Sequence, residues 1–378
     1  MLLIASSETT LKSSPVRNFL ERRVAKHLRI IFSRHGEKPL ITRENGRIVV
    51  RDISDMSEGL TLASKVFGVA SVMRASQVGN DMDTIVHQSV TLGLQKIMPN
   101  STFAVKARRL GTHSFTSKDL ENVIGSKILE RLADRGVSVD LKRPDTTVYV
   151  EVREDCTYVY TERVAGPGGL PYGCQGSVVS LFSGSLDSRL STWLLMKRGA
   201  RIIPVYCDEE DDTPRDKVLR WLKQIYSILP VRKPSFIVVP FKDVLGGIYD
   251  STPKDVIPII RMHSMLIIAD RIAQEMKAIG IVTGESLGDS GSMDTIVQAS
   301  SDLNAPIYRP LVGFERNEIV ELAKKASLYD ESEYKTTPEV QRVSMQSFVN
   351  PIQNIRTQLE TALTKKEIVP IAPMPYDE

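Results

Sequence analysis

The sequence predicts a chain of several domains, in which an α+β front half precedes an α/β domain with a doubly wound parallel sheet. Three observations predict this class. With 378 residues, the chain is longer than one typical domain. Before about residue 166, strands and helices alternate irregularly. After a stretch rich in Gly and Pro, continuous apolar strands alternate with helices, which is typical of a parallel sheet covered on both faces.

The front half is predicted to hold small antiparallel sheets that helices cover on one face. Apolar periodicity predicts helices at 15–27, which opens with a proline, and at 79–98 and 117–134. Runs of apolar, β-branched and aromatic residues predict strands at 28–33, 47–52, 102–109, 146–154 and 156–164.

The back half follows residues 166–176, a stretch rich in Gly and Pro that is predicted to connect domains. Apolar runs predict strands at 177–182, 201–207, 235–241, 279–284 and 306–311. Helices are predicted at 187–198, 213–228, 256–278, 292–303 and 315–326. The polar tail at 331–378 has little periodicity and is predicted to pack on this domain or extend it. Such a sheet binds its ligand at the carboxyl ends of its strands.

The composition is that of an ordinary soluble globular protein, with 42% hydrophobic and 25% charged residues. No apolar run approaches the roughly 20 residues that span a bilayer, and the first residues do not resemble a secretory signal, so we expect a cytoplasmic protein without a membrane partner.

The three cysteines are Cys156, Cys174 and Cys207. Their spacing predicts neither a disulfide framework nor a structural metal site.

The charge distribution suggests a polyanionic partner for the front half. The formal net charge is only +3, but basic residues outnumber acidic ones before residue 176, and the reverse holds after it. Chance asymmetry is the alternative interpretation.

The strand 102–109 ends in Lys106, Arg108 and Arg109, and Lys118 follows. These residues are candidates for phosphate contacts with a nucleic acid, with Lys12 and Arg22 as weaker ones, although a charged strand edge is the structural alternative.

The strongest chemical feature is the segment Ser183-Gly184-Ser185-Leu186-Asp187-Ser188, between the first apolar strand of the back half and its helix. Small residues let backbone N–H groups approach an anion, and the helix N-terminus favours negative charge. The segment lacks the lysine of a Walker loop. We therefore predict a phosphate-binding loop of another kind, the alternative being a simple turn in which Asp187 or Ser188 caps the helix.

This loop resembles the SGGxDS loop of PP-loop ATP pyrophosphatases, and longer blocks resemble the tRNA 4-thiouridine synthetase family (ThiI) in its short form without a rhodanese domain. The blocks are GPGGLPYGCQGSVVSLFSGSLDS, IVTGESLG and IYRPLVGFERNEIVELAKKASLYDESEY. The front half is similar to that family's ferredoxin-like and THUMP domains, for example in FAVKARRLGTHSFTSKDLENVIGSKILERL. The resemblance implies an N-terminal ferredoxin-like domain at 1–60, a THUMP domain at 61–165 and a PP-loop domain at 177–330.

The family resemblance implies an ATP-dependent tRNA sulfurtransferase. Such enzymes use ATP and Mg²⁺ to adenylate the C4 oxygen of uridine at position 8 of tRNA, and sulfur then replaces AMP. A link to sulfur transfer for the thiazole of thiamine also occurs in the family. The family resemblance implies three partners: tRNA, a sulfur donor (sulfide or a persulfide-carrying protein) and a second copy of the chain. Two alternatives stay open: a tRNA-modifying enzyme that uses another nucleophile, and a tRNA binder without catalytic activity.

The resemblance also implies a set of nucleotide-binding residues. Asp187 is the residue expected to be essential, through the positioning of metal and pyrophosphate, with Ser188 beside it. Arg261 lies where the family has a basic residue near the phosphates. The full set expected around ATP is Leu181, Phe182, Ser183, Gly184, Ser185, Asp187, Ser188, Tyr206, Cys207, Arg261, Gly284 and Met293.

The chain departs from the family pattern at several positions. Ser185 replaces a glycine, which would be strained if the backbone φ there were positive. Met293 stands where glutamine is common, and no cysteine follows the LYDESEY block. Cys207, near the catalytic edge of the predicted sheet, is therefore a better candidate than Cys174 to carry a persulfide, although Asp208, Glu209 and Glu210 oppose a thiolate. A small buried hydrophobe is the alternative role for this cysteine.

Overall fold

A computed structural model of the chain describes residues 1–8, 12–44, 46–209, 215–254, 256–287, 293–331 and 355–372. The chain forms two compact units, Met1–Gly168 and Gly169–Glu378. The predicted fold class is confirmed, because the first unit is α+β and the second contains a parallel sheet with helices in the connections between its strands. No helix in the described parts of the chain combines the length and the apolar character needed to cross a membrane.

The first unit is built on one sheet of eight strands in the order β2-β3-β1-β4-β8-β7-β5-β6. The strands are β1 (Leu2–Ser6), β2 (Leu40–Glu44), β3 (Arg47–Arg51), β4 (Val69–Val78), β5 (Thr102–Arg109), β6 (Ser138–Val139), β7 (Thr146–Val152) and β8 (Thr157–Ala165). The helices are α1 (Ser14–Arg34), α2 (Met56–Ala63), α3 (Met82–Lys96) and α4 (Ser117–Arg131).

The prediction of several small antiparallel sheets is wrong. The strand β4 pairs with β1 along one edge and with β8 along the other, so it joins both parts of the unit into one continuous sheet. The sheet is also mixed, because β5 runs parallel to β7 and to β6. Local strand propensity carries no information about such long-range pairing.

The predicted strand at 28–33 is also wrong, because these residues continue α1 to Arg34. Leu28, Ile31 and Phe32 are buried together with Leu20 and Val24. This spacing of three and four residues places them on one face of a helix. The isolated stretch LRIIFS has the composition of a strand, but its buried apolar residues lie on the same helix face as those of the preceding turns.

The second unit contains a sheet in the order β13-β12-β9-β10-β11-β14. Its strands are β9 (Ser177–Leu181), β10 (Arg201–Asp208), β11 (Ser235–Pro240), β12 (Ile281–Val282), β13 (Ile307–Tyr308) and β14 (Glu367–Pro370). The helices are α5 (Leu186–Lys197), α6 (Arg215–Ser227), α7 (Lys242–Ser251), α8 (Ile257–Glu275), α9 (Met293–Ala299), α10 (Arg316–Lys325) and α11 (Arg356–Thr364).

The strand order places a topological switch point between β9 and β12. From β9 the chain moves outward through β10 and β11, and then returns to the other side of β9 with β12 and β13, all in parallel. The loops that follow β9 and β12 therefore diverge at this point and leave a crevice, which is where such sheets bind ligands. The strand β14 was not predicted from the sequence; it pairs antiparallel with β11 and adds an edge strand.

Candidate nucleotide and RNA sites

The predicted phosphate loop lies at the switch point, between β9 and the first turn of α5. Its serine side chains bond to one another: the Ser183 hydroxyl donates to the Ser185 hydroxyl at 3.0 Å and to the Ser188 hydroxyl at 3.3 Å. The Ser185 hydroxyl caps α5 by accepting from the Ser188 backbone N–H at 3.3 Å. The loop is thus held in one conformation at a helix N-terminus, where an anion is favoured.

Ser185 carries no backbone strain, although it replaces a glycine of the family pattern. Its φ of −65° and ψ of 160° are extended values that any residue adopts. The left-handed position of the loop is Gly184, with φ of +77°. The substitution at 185 therefore falls where a side chain is tolerated, and its hydroxyl acts as the helix cap.

Gly284, in the loop after β12, packs directly on the backbone of the phosphate loop. A Cβ atom at Gly284 would lie 2.7 Å from the carbonyl carbon of Asp187 and 2.8 Å from the Ser188 nitrogen. Only glycine permits this approach. The neighbouring Glu285 is buried, accepts a hydrogen bond from the Thr283 hydroxyl and forms an ion pair with Arg309 at 2.8 Å. These contacts hold the turn against the loop.

Asp187 forms an ion pair with Arg316, at 2.7 Å between Oδ1 and Nη1. Arg316 is the first residue of α10, where a capping box between Glu315 and Glu318 sets the start of the helix. Sequence reasoning did not select Arg316. One signal was available, because an arginine in the first turn opposes the helix dipole and so suggests a role other than helix stability.

A cavity of about 460 Å³ opens in front of the loop. Of the residues predicted around ATP, the cavity brings together Leu181, Phe182, Ser183, Ser185, Asp187, Ser188, Tyr206, Cys207, Arg261 and Gly284. Gly184 and Met293 do not line it, and Met293 is 62% exposed at the start of α9. Lys217, Glu285 and Arg316 line the cavity without having been predicted.

Arg261 on α8 and Cys207 near the end of β10 border the cavity in different ways. Arg261 donates two hydrogen bonds of 2.6 Å to the buried carboxylate of Glu209, which orients its guanidinium at the rim. Cys207 is buried, and this burial, together with the smaller effect of the Glu209 carboxylate, raises the pKa of its thiol to about 12. This environment disfavours the thiolate that persulfide chemistry requires.

The cavity fits a nucleoside triphosphate on three grounds. Its volume lies within the range of about 300 to 1,000 Å³ typical of small-molecule sites. It combines apolar walls, such as Val205 and Met265, with a serine-rich loop at a helix N-terminus. It also carries the cationic side chains of Arg189, Lys217, Arg261 and Arg316. Among the described residues, no cluster of three or more His, Cys, Asp or Glu side chains could hold a metal ion by itself.

The first unit has a second cavity, of about 220 Å³, with basic walls. Lys106 and Arg108, two of the predicted RNA contacts, line it because alternate residues of β5 share one face of the sheet. Arg47 and Arg163 complete the basic lining. Beside them, Tyr149 and Tyr160 stack with ring centroids 5.1 Å apart. Such a surface suits a nucleic-acid backbone.

A buried carboxylate organises part of this basic surface. Glu151 pairs with Arg47 at 2.8 Å and also with Arg153. Burial is the main cause that lowers the pKa of Arg153 to about 10, and the positive charges of Arg47 and Arg108 contribute to this lowering. Glu151 thus balances two partly desolvated guanidinium groups of the sheet.

The other predicted RNA contacts lie elsewhere in the first unit. The Arg109 guanidinium donates to the backbone oxygen of His113 at 3.3 Å. Lys118 is exposed on α4, and its Nζ atom lies 3.7 Å from the Oε2 atom of Glu121. Lys12 and Arg22 are exposed, before and on α1 respectively. The structure therefore groups Lys106 with Arg108 in the basic cavity, and none of these other four residues lines it.

Comparison with known proteins identifies the family. Residues 173–359 match the family model described as thiamine biosynthesis protein (ThiI), and residues 79–162 match the THUMP domain model. A relative from Methanosarcina acetivorans, named probable tRNA sulfurtransferase, is 33% identical over 87% of this chain and 82% of its own length. The chain belongs to the ThiI family. A ThiI relative of the same printed name from Saccharolobus islandicus is 30% identical and is matched over its whole length, with 98% of this chain covered.

The similarity to a solved structure extends over both units. A solved structure described as a 4-thiouridine synthetase–RNA complex with bound ATP covers 98% of this chain and 99% of its own, with a TM-score of 0.79. Its sequence identity of 22% makes this a similarity of fold. The ThiI match spans the phosphate loop, the Gly284 turn and Arg316, whereas the THUMP match spans β5, β7 and most of β8, including Lys106 and Arg108.

Proposed function

We propose that this ThiI protein is an ATP-dependent tRNA sulfurtransferase that converts uridine at position 8 of tRNA into 4-thiouridine. The observation that carries the proposal is the convergence of the 183–188 loop, the Gly284 turn and Arg316 on one cavity at the switch point of the sheet. The relatives named probable tRNA sulfurtransferase support the choice of reaction.

The proposed chemistry has two steps, because a carbonyl oxygen is a poor leaving group. The uracil O4 attacks the α-phosphorus of ATP, and the bond to pyrophosphate breaks. Hydrosulfide then attacks C4, the C4–O bond breaks with release of AMP, and the sulfur loses its proton. The hydroxyls of Ser183, Ser185 and Ser188 and the N-terminus of α5 would bind the departing pyrophosphate. Arg316 and Lys217 would balance its negative charge.

We propose Mg²⁺ as the ion that accompanies ATP, with Asp187 as the carboxylate that positions it. When bound, Mg²⁺ neutralises charge on the phosphates. The Arg316 guanidinium, 2.7 Å from Asp187, orients that carboxylate toward the cavity which both residues line. Asp187 would hold the ion, and Arg316, which lines the same cavity, would add positive charge beside the phosphates.

The test is thiolation of unmodified tRNA by the purified protein with ATP, Mg²⁺ and sulfide. Thiolated RNA is retarded in a mercury-containing gel, and we expect a retarded band only when ATP is present. AMP release that depends on tRNA, without a retarded band, would favour a tRNA-modifying enzyme with another nucleophile. Binding of tRNA with neither product would favour the non-catalytic alternative and overturn the proposal.

We propose sulfide, or a persulfide carried by another protein, as the sulfur donor, and we predict that Cys207 is dispensable. The pKa of about 12 leaves this buried thiol protonated at neutral pH. Cys207→Ala is expected to keep the sulfide-dependent rate within about threefold of the parent. Native Cys207 should also resist iodoacetamide at pH 8, and react once the protein is unfolded in urea, as peptide mass spectrometry would detect. Loss of sulfide-dependent thiolation in Cys207→Ala would contradict this prediction.

A second prediction concerns tRNA binding by the basic cavity. The double variant Lys106→Ala/Arg108→Ala should weaken tRNA binding. The magnitude of the slope of log K for tRNA association against log salt concentration should fall by about 1.5, since each lost phosphate contact lowers it by about 0.7 to 0.9. Filter binding at several salt concentrations measures both the affinity and the slope. The matched control, Lys127→Ala/Arg131→Ala, removes two exposed charges from α4 that do not line the cavity. Equal effects of the two double variants would refute a specific role.

We also propose that the protein acts as a homodimer in the cytoplasm, as the family resemblance implies. Sedimentation equilibrium of the purified chain at micromolar concentration tests the oligomeric state. A monomer that retains full thiolation activity would overturn the dimer proposal.

A further inference from the structure

Arg189 is a buried arginine beneath the phosphate loop that the reaction outlined above does not use. Its side chain is 1% exposed, and it lies one helical turn after Ser185. Taking a guanidinium out of water costs free energy, and helix interiors ordinarily hold apolar residues at such positions. A charged residue retained here calls for a function that needs its charge or its hydrogen bonds.

The Arg189 side chain holds the carbonyl group of Ser185. Its Nε donates to that oxygen at 3.2 Å, and the same oxygen accepts from the Arg189 backbone N–H at 3.1 Å and from the Ser188 hydroxyl at 3.0 Å. Three donors therefore balance the partial negative charge of a carbonyl that belongs to the phosphate loop. An oxygen engaged in this way repels a bound phosphate less than an unpaired one.

The guanidinium is itself held in place by α6. Its central carbon lies 3.7 Å from the ring centroid of Trp221, which is buried. One turn earlier on α6, Val218 lies against the loop: a Cβ atom at Gly184 would be 3.4 Å from the Val218 Cγ2 atom. Trp221 and Val218 thus form one face of α6 that packs on the loop and on Arg189. The cation beneath the loop has a fixed position before any ligand binds.

We propose that Arg189 is a positioning residue for the polyphosphate of ATP. It fixes the Ser185 carbonyl and supplies, through the Trp221 stack, a permanent positive charge behind the loop. Such a preorganised charge acts on phosphate groups and leaves the nucleoside unaffected. The inference rests on the proposed function, since it takes ATP to be the ligand of the cavity.

The experiment compares ATP with adenosine, because only ATP carries phosphates. Isothermal titration calorimetry of Arg189→Met is expected to show ATP affinity lowered by about tenfold or more, with adenosine affinity changed less than about twofold. Arg189→Lys retains the charge and should recover part of the ATP affinity. Arg220→Met is the matched control, because Arg220 also lies over the Trp221 ring, at 5.8 Å, but its side chain is 62% exposed. This control should bind both ligands like the parent.

The outcomes separate the inference from the proposed function. If ATP and adenosine weaken equally in Arg189→Met, or if neither changes, Arg189 has only a structural role and the inference is overturned. If the parent protein does not bind ATP, the proposed function fails before the variants are compared. Should Arg189→Met fail to fold by circular dichroism, Trp221→Leu keeps the guanidinium but removes the stack, and it must show the same selective loss of ATP affinity.

Discussion

Replacing Asp187 by Asn is expected to lower the ATP-dependent rate of tRNA thiolation by about 100-fold or more. Asn has nearly the same shape as Asp, so the substitution removes the charge and little else. The carboxylate lies 2.7 Å from Arg316 in a partly buried site, and both side chains line the cavity beside the phosphate loop. Loss of a preorganised charge at a reacting phosphate typically costs two to three orders of magnitude in rate.

The measurement is the initial rate of thiolation in the mercury gel assay, at saturating ATP and over a range of Mg²⁺ concentrations. The matched control is Asp243→Asn, which removes an acidic residue from the first turn of another helix of the same unit. Asp243 does not line the cavity, so its removal alters only a helix dipole interaction. A rate for Asp187→Asn within about threefold of the parent would exclude the proposed role of Asp187.

The Asp187–Arg316 ion pair can be tested as a pair. If Arg316 acts partly by orienting Asp187, then Arg316→Met should slow the reaction, and adding it to Asp187→Asn should cost little more. Such non-additivity is expected of residues that act as a unit. Full additivity of the two effects on the rate would show that the residues act independently.

Replacing Gly284 by Ala is expected to lower ATP affinity by about tenfold or more and to reduce the free energy of unfolding by about 1 to 3 kcal/mol. The new methyl group would lie 2.7 Å from the Asp187 carbonyl carbon and 3.0 Å from its oxygen. These neighbours are backbone atoms, so relief requires the turn to move away from the phosphate loop. That movement would also pull Glu285 from Arg309, its partner at 2.8 Å.

Calorimetric titration with ATP and urea-induced unfolding measure the two effects of Gly284→Ala. The matched control is Gly313→Ala, because a Cβ atom there meets nothing within 4 Å. Its free energy of unfolding should stay within about 0.5 kcal/mol of the parent, as for an ordinary surface substitution. Unchanged ATP affinity in Gly284→Ala would mean that the loop does not depend on the approach of this turn.

Much of the second unit could be predicted from the sequence because its signals are local. The strand β10 and the helices α5 and α10 lie within two residues of their predicted bounds at each end, since apolar periodicity and helix ends are read over short windows. The helix α6 ends within two residues of its predicted end, whereas its predicted start at residue 213 lies outside the described residues. By contrast, α7 and the segment formed by α11 and β14 were not predicted. The strand β14 acquires its conformation by pairing with β11, well over 100 residues away in the chain.

The first unit shows where local patterns fail. The stretch 28–33 has the composition of a strand, yet it forms the last turns of α1, because its apolar residues continue the buried face that begins with Leu20. Likewise, no local signal indicates that β4 pairs with both β1 and β8. The backbone hydrogen-bonding groups along both edges of β4 pair with strands that are distant along the chain, so the single sheet could not be inferred from strand propensity.

The sequence by itself determined the fold class, the family and the chemical character of the 183–188 loop, because small residues at a strand-to-helix junction let backbone N–H groups approach an anion. Only the tertiary structure decided which residues accompany that loop. Arg316 lies 129 residues beyond Asp187. Gly284 and Lys217 come to the loop from different elements, while Met293 lies outside the cavity. The strand order of the sheet brings these segments together, and long-range packing of this kind leaves no trace in local spacing.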